Sequence, residues 1–467
     1  MSVSDACAQT GSDGIGLSRR AFIGGVGGAA ALAAVTTAWP AAAATSSGGW
    51  GGGSPATASY DVTVATGWLR ALYEVVRTEG LTPPAAARAY AYCSVAMYES
   101  VVDGMPAHRS LAGQLTGMPD MPRPVKNAKY DWPTALSTAV ATVAGAVFAA
   151  ATAPSRDAIA AHHAQTLAAR RSVRVPAAVL DASQAHGRRV GAAIAEWAAL
   201  DGYAGIRGRA YAPPVGPDKW VPTHPNFGTA IEPYWAEVRP FVLATCDECP
   251  PDPQPAPYSE DPASAFFAQA KTVYDQVVLH NTDETRGIAR FWTDNPLLSG
   301  LPAGHWLLIV TQFAEQHALN LAELVEAYAR AGVTLADAFL SCWTEKYRTN
   351  LLRPSTYVRR HIDAAWVTWV NTPQFPEYTS GHSVASNAVA TVLTDLLGER
   401  PFVDKHVASG LTTVTQRSFT SFREAAAEAA KSRLYGGIHY PMGIAMGLTQ
   451  GDRVGAVVVA RLHTRKD

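Results

Sequence analysis

The chain has 467 residues, of which 48% are hydrophobic and 16% are charged, so its apolar content is sufficient to bury a large core. Its formal net charge of -1 excludes a broad basic surface for nucleic acid or acidic membranes. Any charge that serves function must therefore be local, and we expect no nucleic-acid partner.

The first 44 residues are typical of a targeting segment. A twin-arginine motif, S-R-R-A-F-I, occupies residues 18–23, a Gly/Ala-rich stretch follows, and residues 41–44 offer small-residue cleavage sites. An apolar anchor helix is the alternative, but the stretch is short, rich in glycine and closed by Pro40. We expect residues 1–44 to be a signal peptide for export to the periplasm or outside the cell, with no stable membrane anchor. Residues 45–60 are predicted to be a Gly/Ser linker.

The rest of the sequence predicts helices almost throughout. Residues 61–202 and 263–467 carry apolar side chains at helical spacing, with no alternating strand pattern of useful length. Residues 203–262 are rich in Pro, Gly and Trp without periodicity, which indicates a long irregular excursion over the surface. We therefore predict an all-α fold of two packed helical bundles. The predicted helices are 64–77, 84–102, 132–153, 156–170, 176–200, 262–280, 283–291, 306–331, 335–352 and 384–397.

Four cysteines remain beyond the predicted signal peptide. Cys93 and Cys342 fall in helical patterns and are predicted to be buried thiols. Cys246 and Cys249 form a lone C-x-x-C motif without further metal ligands nearby. In an exported protein this motif favours a small-loop disulfide over a redox role.

Three segments in the last third of the chain have residues suited to binding an anion. In the first, Lys346 and Arg353 are seven residues apart, so two helical turns place both cations on one face. Thr334 and Asp337 predict a capping box at the start of this helix, and Pro354 ends it. Two cations on one face repel each other unless an anion joins them, although a solvated basic face is the simpler alternative.

The second segment is Ser380-Gly381-His382, which precedes a predicted helix. Unpaired N–H groups at a helix start attract anions, Gly381 allows close approach of the backbone, and Ser380 adds a hydroxyl donor. His382 is placed to move a proton. The alternative is ordinary N-capping by Ser380.

The third segment contains Arg433 and His439, which are six residues apart and would lie on different faces of one helix. The glycine pair Gly436-Gly437 between them should break the helix, so both side chains can turn into one pocket. A histidine buried in the core is the alternative for His439. Together the three segments predict a pocket for a tetrahedral oxyanion such as vanadate or phosphate.

The order K-x6-R-P, S-G-H and S-R-x3-G-x-H resembles the signature of the vanadium haloperoxidase and type 2 phosphatidic-acid phosphatase superfamily. The motifs F-W-T-D-N at residues 291–295, P-A-G-H-W at 302–306 and F-P-E-Y at 375–378 are similar to segments of bacterial haloperoxidase-like proteins. The resemblance implies an enzyme with a vanadate cofactor, and the twin-arginine segment predicts that it is exported. It would oxidise bromide, or chloride, with hydrogen peroxide and halogenate a small organic acceptor; the oligomeric state stays open.

The resemblance also implies roles for the pocket residues. Vanadium would bond to the protein through a nitrogen of His439 alone. The vanadate oxygens would be held by Lys346, Arg353, Ser380, the Gly381 N–H and Arg433. His382 would manage the proton of hydrogen peroxide, and Lys346 would polarise the peroxide for attack by halide.

Three further residues match supporting positions of the family. Trp343 and Phe375 match aromatic residues on the halide side of chloroperoxidases, and bromoperoxidases tend to have histidine where Phe375 stands. Phe375 therefore favours chloride, with plain core packing as the alternative. Asp294 matches an acidic residue that orients the family's arginine, so we expect it to pair with Arg433; an exposed turn is the alternative.

Two positions depart from the family pattern. Thr379 replaces the proline that usually precedes Ser-Gly-His. Gly443, four residues after His439, stands where the superfamily commonly has an aspartate that supports the histidine in phosphatases. Its absence counts against the main alternative, an acid phosphatase with a phospho-histidine intermediate, and leaves the orientation of His439 open. The remaining alternative is a vanadate-free, non-redox member of the family.

Overall fold

The structure is a computed structural model that describes residues 53–406 and 413–466. The predicted signal peptide and the first half of the predicted linker, residues 45–52, lie outside the described residues. The chain packs against the core from Ser54, whose hydroxyl accepts a hydrogen bond from the Tyr130 N–H at 2.9 Å. Thr57 and Tyr60 are buried. Ordered packing thus begins before residue 60, where the linker was predicted to end.

Helices form most of the described residues, which confirms the predicted all-α class. A π-helical turn, Gln276–His280, continues α7, and an antiparallel hairpin joins β1, Phe402–His406, to β2, Thr415–Phe419. The helices are α1 Thr63–Glu79, α2 Pro83–Glu99, α3 Trp132–Val147, α4 Ala153–Ser172, α5 Ala177–Ala199, α6 Tyr203–Ile206, α7 Ala265–Asp275, α8 Asp283–Phe291, α9 Leu301–Gln316, α10 Leu321–Thr349, α11 Pro354–His361, α12 Gly381–Leu397, α13 Phe422–Tyr435 and α14 Pro441–Arg461.

The long helix α10 connects the two groups of packed helices. It contacts α2, which packs with α3 and α5, and it contacts α12, which packs with α13 and α14. Close approach of α10 to α2 depends on Gly332, because a Cβ there would lie 3.0 Å from the Cβ of Ser94. The three segments predicted to bind an anion therefore lie on the side of the molecule that α10, α12 and α14 form.

The predicted boundary between helices 306–331 and 335–352 is wrong, because α10 runs through it without a break. Its capping box is formed by Asn320 and Glu323 rather than by Thr334 and Asp337. The Thr334 hydroxyl donates back to the Arg330 carbonyl at 2.6 Å. The Asp337 carboxylate accepts three backbone N–H groups of residues 241–243, so a long-range contact, not a helix start, satisfies this buried acid.

The hairpin is a second departure, since no strand was predicted. Strand β1 alternates buried and exposed side chains over only five residues, which is too short to distinguish from a loop by periodicity. Asp404 pairs across the sheet with Arg417, and His406 with Thr415. The strand thereby carries Asp404 and His406 into the protein interior.

The region 203–262 is irregular apart from α6 and a short turn at Trp235–Glu237, as predicted. It does not simply cross the surface, because Trp220 and Trp235 are buried. The Ile231 carbonyl accepts hydrogen bonds from Trp343 Nε1 at 3.2 Å and the Tyr347 hydroxyl at 2.6 Å. These contacts attach the excursion to α10 beside Lys346.

The four cysteines beyond the predicted signal peptide are all free thiols. Cys93 and Cys342 are buried thiols, as predicted, whereas Cys246 and Cys249 are both free, so the predicted disulfide is wrong. Cys249 is buried while Cys246 is only partly covered, which places the two side chains in different surroundings.

Across the residues that the structure describes, every helix is too short or too polar to cross a membrane.

Candidate active site

A cavity of about 360 Å³ brings most of the predicted site residues together. Its lining includes Asp294, Trp343, Phe375, Gly381, His382, Arg433 and His439. Lys346, Arg353 and Ser380 are fully buried and contact residues next to this lining. The three sequence segments therefore meet at one place, although 93 residues separate Lys346 from His439.

A glycine turn directs both Arg433 and His439 toward the cavity. Helix α13 ends at Tyr435, and Gly437 has a φ of 77°, a left-handed conformation that favours glycine. A Cβ on Gly437 would also lie 2.8 Å from a methyl carbon of Val277. The predicted helix break at the glycine pair is confirmed.

The two ring nitrogens of His439 have different partners. Nδ1 lies 2.8 Å from Glu377 Oε1, and Nε2 lies 3.1 Å from Arg353 Nη1. Because a guanidinium only donates, Nε2 is the acceptor and Nδ1 carries the proton that Glu377 accepts. Burial and the nearby Arg353 and Lys346 charges hold the pKa of His439 well below its usual range. His439 is thus a neutral imidazole with its lone pair on Nε2.

Lys346 is held by the loop that leads into α12. Its Nζ donates to the backbone carbonyls of Pro376, Glu377 and Thr379 at 3.0, 2.9 and 2.5 Å. An ammonium group has three N–H donors, so all of them are engaged. Burial, and then the Arg353 charge, lowers the pKa of Lys346 to about 7. Contact with an oxyanion would require Lys346 to share or release one carbonyl.

The two arginines are buried cations that donate to neighbouring carbonyl and hydroxyl oxygens, and Arg433 Nη2 reaches the Ala289 carbonyl at 3.1 Å. Arg353 Nε donates to the Phe375 carbonyl at 2.8 Å and Nη1 to the Ile438 carbonyl at 2.9 Å. The buried Arg353 Nη2 has no hydrogen-bond partner among the described residues. Arg433 donates through Nε to the Ser432 hydroxyl at 2.8 Å. Burial lowers the pKa of each guanidinium to about 10, so an anion nearby would stabilise both charges.

Ser380 and Gly381 begin α12 at the cavity wall. The Ser380 side chain is the N-cap and accepts the Ser383 N–H at 3.4 Å, so the capping alternative holds, and it leaves the N–H groups of the first turn facing the helix start. Gly381 lines the cavity, and a Cβ there would come within 3.6 Å of Trp343. Its absence keeps the backbone accessible next to the aromatic wall.

His382 lies at one end of a buried chain of charged groups. Its Nε2 is 3.7 Å from Asp294 Oδ2, which is longer than a hydrogen bond. Asp294 Oδ2 lies 3.0 Å from His305 Nδ1, and His305 Nε2 lies 2.8 Å from Asp404 Oδ2. The predicted pairing of Asp294 with Arg433 is therefore replaced by pairing with His305, although the Asp294 charge still raises the pKa of Arg433.

The charges in this chain stabilise one another. Burial alone would lower the pKa of His305, but Asp294 and Asp404 on its two sides raise the pKa to about 10. Burial alone would raise the pKa of Asp404, but the His305 charge lowers it to about 2. Burial, and then the Arg433 charge, lowers the pKa of His382 to about 4. His305 is thus a buried imidazolium, and His382 is neutral at ordinary pH.

The same cluster is a geometric candidate for a metal ion, because ligand atoms of Asp294, His305 and His406 lie within 4.8 Å of one another. Both nitrogens of His305 already face carboxylates, and His406 Nε2 lies 3.1 Å from the Phe291 carbonyl. These hydrogen bonds account for the cluster without a metal.

Trp343 and Phe375 form an aromatic wall of the cavity next to Lys346 and Arg353. Their ring centroids are 4.8 Å apart. The Phe375 ring lies 5.1 Å from Lys346 Nζ and 4.8 Å from Arg353 Cζ, within the range of cation–π attraction. The two rings thus shield the cations from water on this side.

The sequence did not predict roles for Glu377, His305, Asp404 or His406. Glu377 lies inside the F-P-E-Y motif and His305 inside the P-A-G-H-W motif, and the carboxylate three residues before Ser380 was the available signal. Asp404 and His406 lie on the unpredicted hairpin, so no signal pointed to them.

Comparisons with known proteins place this fold in one class. A family model described as the VCPO second helical-bundle domain matches residues 326–466. The crystal structure of a bacterial vanadium-dependent iodoperoxidase superposes with a TM-score of 0.80 at 36% identity, and the match covers 87% of this chain and 98% of that chain. No curated protein gives a significant match.

Two crystal structures of bacterial vanadium-dependent chloroperoxidase share the fold. The holo-type structure matches with a TM-score of 0.58 at 14% identity, covering 83% of this chain and 95% of that chain. The apo-type structure matches with a TM-score of 0.61 at 12% identity, covering 80% and 92%. The class is therefore that of helical proteins with a vanadium haloperoxidase architecture. This chain belongs to the vanadium haloperoxidase family, as its motifs predicted.

The donor set fits the vanadate that this family implies. A multiply charged oxyanion needs fixed cationic donors, and Arg353 has a buried N–H donor without a partner in the described residues. A vanadium centre needs a neutral imidazole, and His439 supplies one with its lone pair on Nε2. The cationic donors thus fit the oxygens of vanadate, and the imidazole of His439 fits its vanadium centre.

Proposed function

We propose that the protein is a vanadate-dependent haloperoxidase that oxidises halide with hydrogen peroxide and halogenates a small organic acceptor. The observation that carries the proposal is the neutral His439, whose Nε2 lone pair faces Arg353 and which is buried near Lys346 and Arg433. An imidazole so placed binds a metal-centred oxyanion and resists protonation, because added positive charge is unfavourable there.

The residues divide the binding task. His439 Nε2 would hold the metal centre, and it would exchange the Arg353 N–H for that bond. The oxyanion oxygens would be held by Lys346, Arg353, Ser380, the Gly381 N–H and Arg433. Bound vanadate supplies a Lewis-acid centre at which hydrogen peroxide becomes reactive toward halide. Lys346 would add positive charge beside that centre once one of its three carbonyl contacts is released.

His382 would handle the proton. It lines the cavity, its pKa is lowered to about 4, and its Nε2 has no hydrogen-bond partner among the described residues. A neutral imidazole with a free nitrogen accepts the proton that hydrogen peroxide gives up on binding. Asp294, fixed by His305, stands 3.7 Å away and stabilises the protonated ring that results.

Trp343 and Phe375 would form the halide side of the cavity. Both rings line the cavity and lie close to buried cations, so a halide there meets an apolar contact and a positive field together. Phe375 supports chloride in addition to bromide. The relative at 36% identity is named an iodoperoxidase, so iodide belongs in the same test.

The decisive assay is reconstitution with orthovanadate, removal of the excess, and addition of hydrogen peroxide with chloride, bromide or iodide. Loss of absorbance of a cyclic diketone reports halogenation, and the same protein without vanadate is the matched control. We expect vanadate-dependent turnover with at least one halide. Absence of turnover with all three halides, despite retained vanadate, would contradict the proposal.

An acid phosphatase is the second candidate, and one contact favours it. The carboxylate of Glu377 supports His439 at 2.8 Å, so the objection based on Gly443 no longer applies. In this chemistry His439 Nε2 attacks phosphorus and His382 protonates the leaving group. Hydrolysis of a phosphate ester by the vanadate-free protein, with a trapped phospho-histidine, would favour it. Inactivity in both assays would favour the vanadate-free, non-redox alternative.

Export is proposed from the sequence alone, since the twin-arginine motif at residues 18–23 lies outside the described residues. We propose cleavage near residue 44, a helical region at 61–202 and the oxyanion-binding region at 263–467. Replacement of Arg19 and Arg20 by lysine should retain the protein in the cytoplasm, as fractionation of expressing cells would measure. Unchanged export of that variant would contradict the assignment.

A further inference from the structure

The carboxylate that supports His439 comes from an unexpected part of the chain. Position 443, on the first turn of α14, is a glycine where the superfamily commonly has an aspartate. Glu377 instead reaches His439 from the loop before α12, 62 residues earlier in the sequence. The question is whether Glu377 only fills space or replaces the missing aspartate.

The contacts of Glu377 are those of a positioning group. Its Oε1 accepts the His439 Nδ1 proton at 2.8 Å and the Tyr440 N–H at 3.0 Å. The side chain is fully buried, and its backbone N–H donates to the Leu351 carbonyl at 2.9 Å. Hydrogen bonds at Oε1 and at the backbone N–H therefore hold Glu377 in place. The bond from Nδ1 to Oε1 in turn fixes the tautomer and the ring plane of His439.

The space at position 443 provides an independent observation. A Cβ on Gly443 would lie 2.4 Å from Glu377 Oε1 and 2.8 Å from Oε2, far inside van der Waals contact. A side chain at 443 and the observed Glu377 carboxylate therefore exclude each other. Glycine is required at 443 because any Cβ there would overlap the observed carboxylate of Glu377.

We propose that Glu377 is the positioning residue of the vanadate site and that the pair Glu377/Gly443 replaces the aspartate at 443 found elsewhere in the superfamily. The inference rests on the proposed function, because it concerns how His439 is prepared for vanadium. Glu377 accepts the hydrogen bond from Nδ1, which leaves the lone pair of His439 on Nε2, and this hydrogen bond makes that nitrogen a stronger donor.

The test compares two oxyanions by equilibrium dialysis. Vanadate uses the His439 lone pair and the surrounding donors, whereas bound inorganic phosphate uses the donors without a bond to nitrogen. Glu377→Ala should weaken vanadate binding by about 10- to 100-fold, the usual effect of removing a group that orients a metal ligand. Phosphate binding should change by less than about threefold, because the anion donors remain.

A reciprocal variant tests the replacement itself. Glu377→Ala combined with Gly443→Asp returns a carboxylate to the vacated space, and we expect it to recover most of the vanadate affinity. Gly443→Asp alone should lose vanadate binding and stability, because its Cβ would overlap the Glu377 carboxylate. Glu99→Ala is the matched control: Glu99 is buried, accepts a backbone N–H at 2.6 Å and lies remote in sequence from the site, so vanadate affinity should not change.

Each contrary outcome has a distinct meaning. Wild-type vanadate affinity in Glu377→Ala, or equal losses of vanadate and phosphate, would overturn the positioning role. Selective loss of vanadate without recovery in the double variant would overturn the equivalence with position 443. If the wild-type protein binds no vanadate, the proposed function fails first, before any variant is compared.

Discussion

The two histidines of the cavity are held in opposite ways. His439 has a partner on each nitrogen, Glu377 on Nδ1 and Arg353 on Nε2, and it lies among buried cations. His382 has a free Nε2, and the nearest carboxylate, that of Asp294, is 3.7 Å away. Both rings are neutral because burial and neighbouring positive charges lower each pKa.

This difference separates the roles of the two rings. A ring fixed at both nitrogens has one orientation and one tautomer, which suits a metal ligand. A ring with a free nitrogen near a fixed carboxylate accepts and returns a proton without rearranging the site. The buried Asp294–His305–Asp404 chain keeps that carboxylate ionised, so the two sides of the cavity are prepared for binding and for proton transfer respectively.

The largest effect should follow from His439→Ala. Removal of the only proposed metal ligand should abolish vanadate retention and halide oxidation, while circular dichroism shows an unchanged helix content. His186→Ala is the matched control, since His186 is also fully buried but packs on Tyr130 and Trp132 in the N-terminal helices. Retained vanadate in the His439 variant would refute the ligand assignment.

His382→Ala should separate binding from turnover. We expect vanadate affinity to change little and the turnover number to fall by about 10²- to 10⁴-fold, the usual contribution of a general base. Dialysis of vanadate and steady-state kinetics on the same preparation measure both. A variant that loses vanadate but keeps its turnover per bound vanadate would reverse the proposed division of roles.

His305→Gln tests the buried chain through stability. Removing one partner leaves buried carboxylates unpaired and should cost about 3 kcal/mol in the free energy of unfolding at neutral pH. The folded-state pKa of His305 is raised from 6.5 to about 10, so its contribution is complete below 6.5 and is lost as the pH rises toward 10. The pKa of Asp404 is lowered from 3.8 to about 2, so its contribution is lost only as the pH falls from 3.8 toward 2.

Urea unfolding of the wild type and the His305 variant at two pH values checks this linkage. The free energy of unfolding of the wild type should exceed that of the His305 variant by less as the pH rises. This excess should shrink by roughly 1 kcal/mol per pH unit between about pH 7 and about pH 9. Gln312→Ala, which removes a neutral donor to Asp404, is the control and should show no such narrowing. A difference that widens with rising pH would contradict a charged His305.

The smallest effect should come from Phe375→His. The polar ring would weaken the apolar wall beside Lys346 and Arg353, and chloride should suffer more than bromide because chloride is more strongly hydrated. We expect the chloride-to-bromide ratio of kcat/KM to fall by about fivefold, an energy on the scale of one cation–π contact. An unchanged ratio would reduce Phe375 to core packing.

The sequence predicted the parts of the site that local rules determine. Ser380 caps α12, and Gly437 forms the left-handed turn that follows the end of α13. Both place motif residues at the cavity, as expected. The supporting groups depend on contacts between distant segments, which spacing does not reveal. Glu377 meets His439 across 62 residues, and Asp404 meets His305 across 99 residues from a strand too short to recognise.

The error in α10 has the same origin. Asp337 satisfied a local rule for a helix start, but its carboxylate binds the backbone of residues 241–243, part of the irregular excursion. A buried acid in a helix centre can be explained only by the segment that packs over it. The sequence was therefore informative about the residues that meet the ligand and less so about those that hold them.

X-ray absorption at the vanadium edge would test the central claim most directly. Measured on the reconstituted wild-type protein and on His382→Ala, it should detect one nitrogen ligand in both, because His439 binds and His382 does not. The spectrum of His382→Ala should therefore match that of the wild type. Absence of a nitrogen ligand in the wild type, or its loss in the His382 variant, would contradict the assignment of the two histidines.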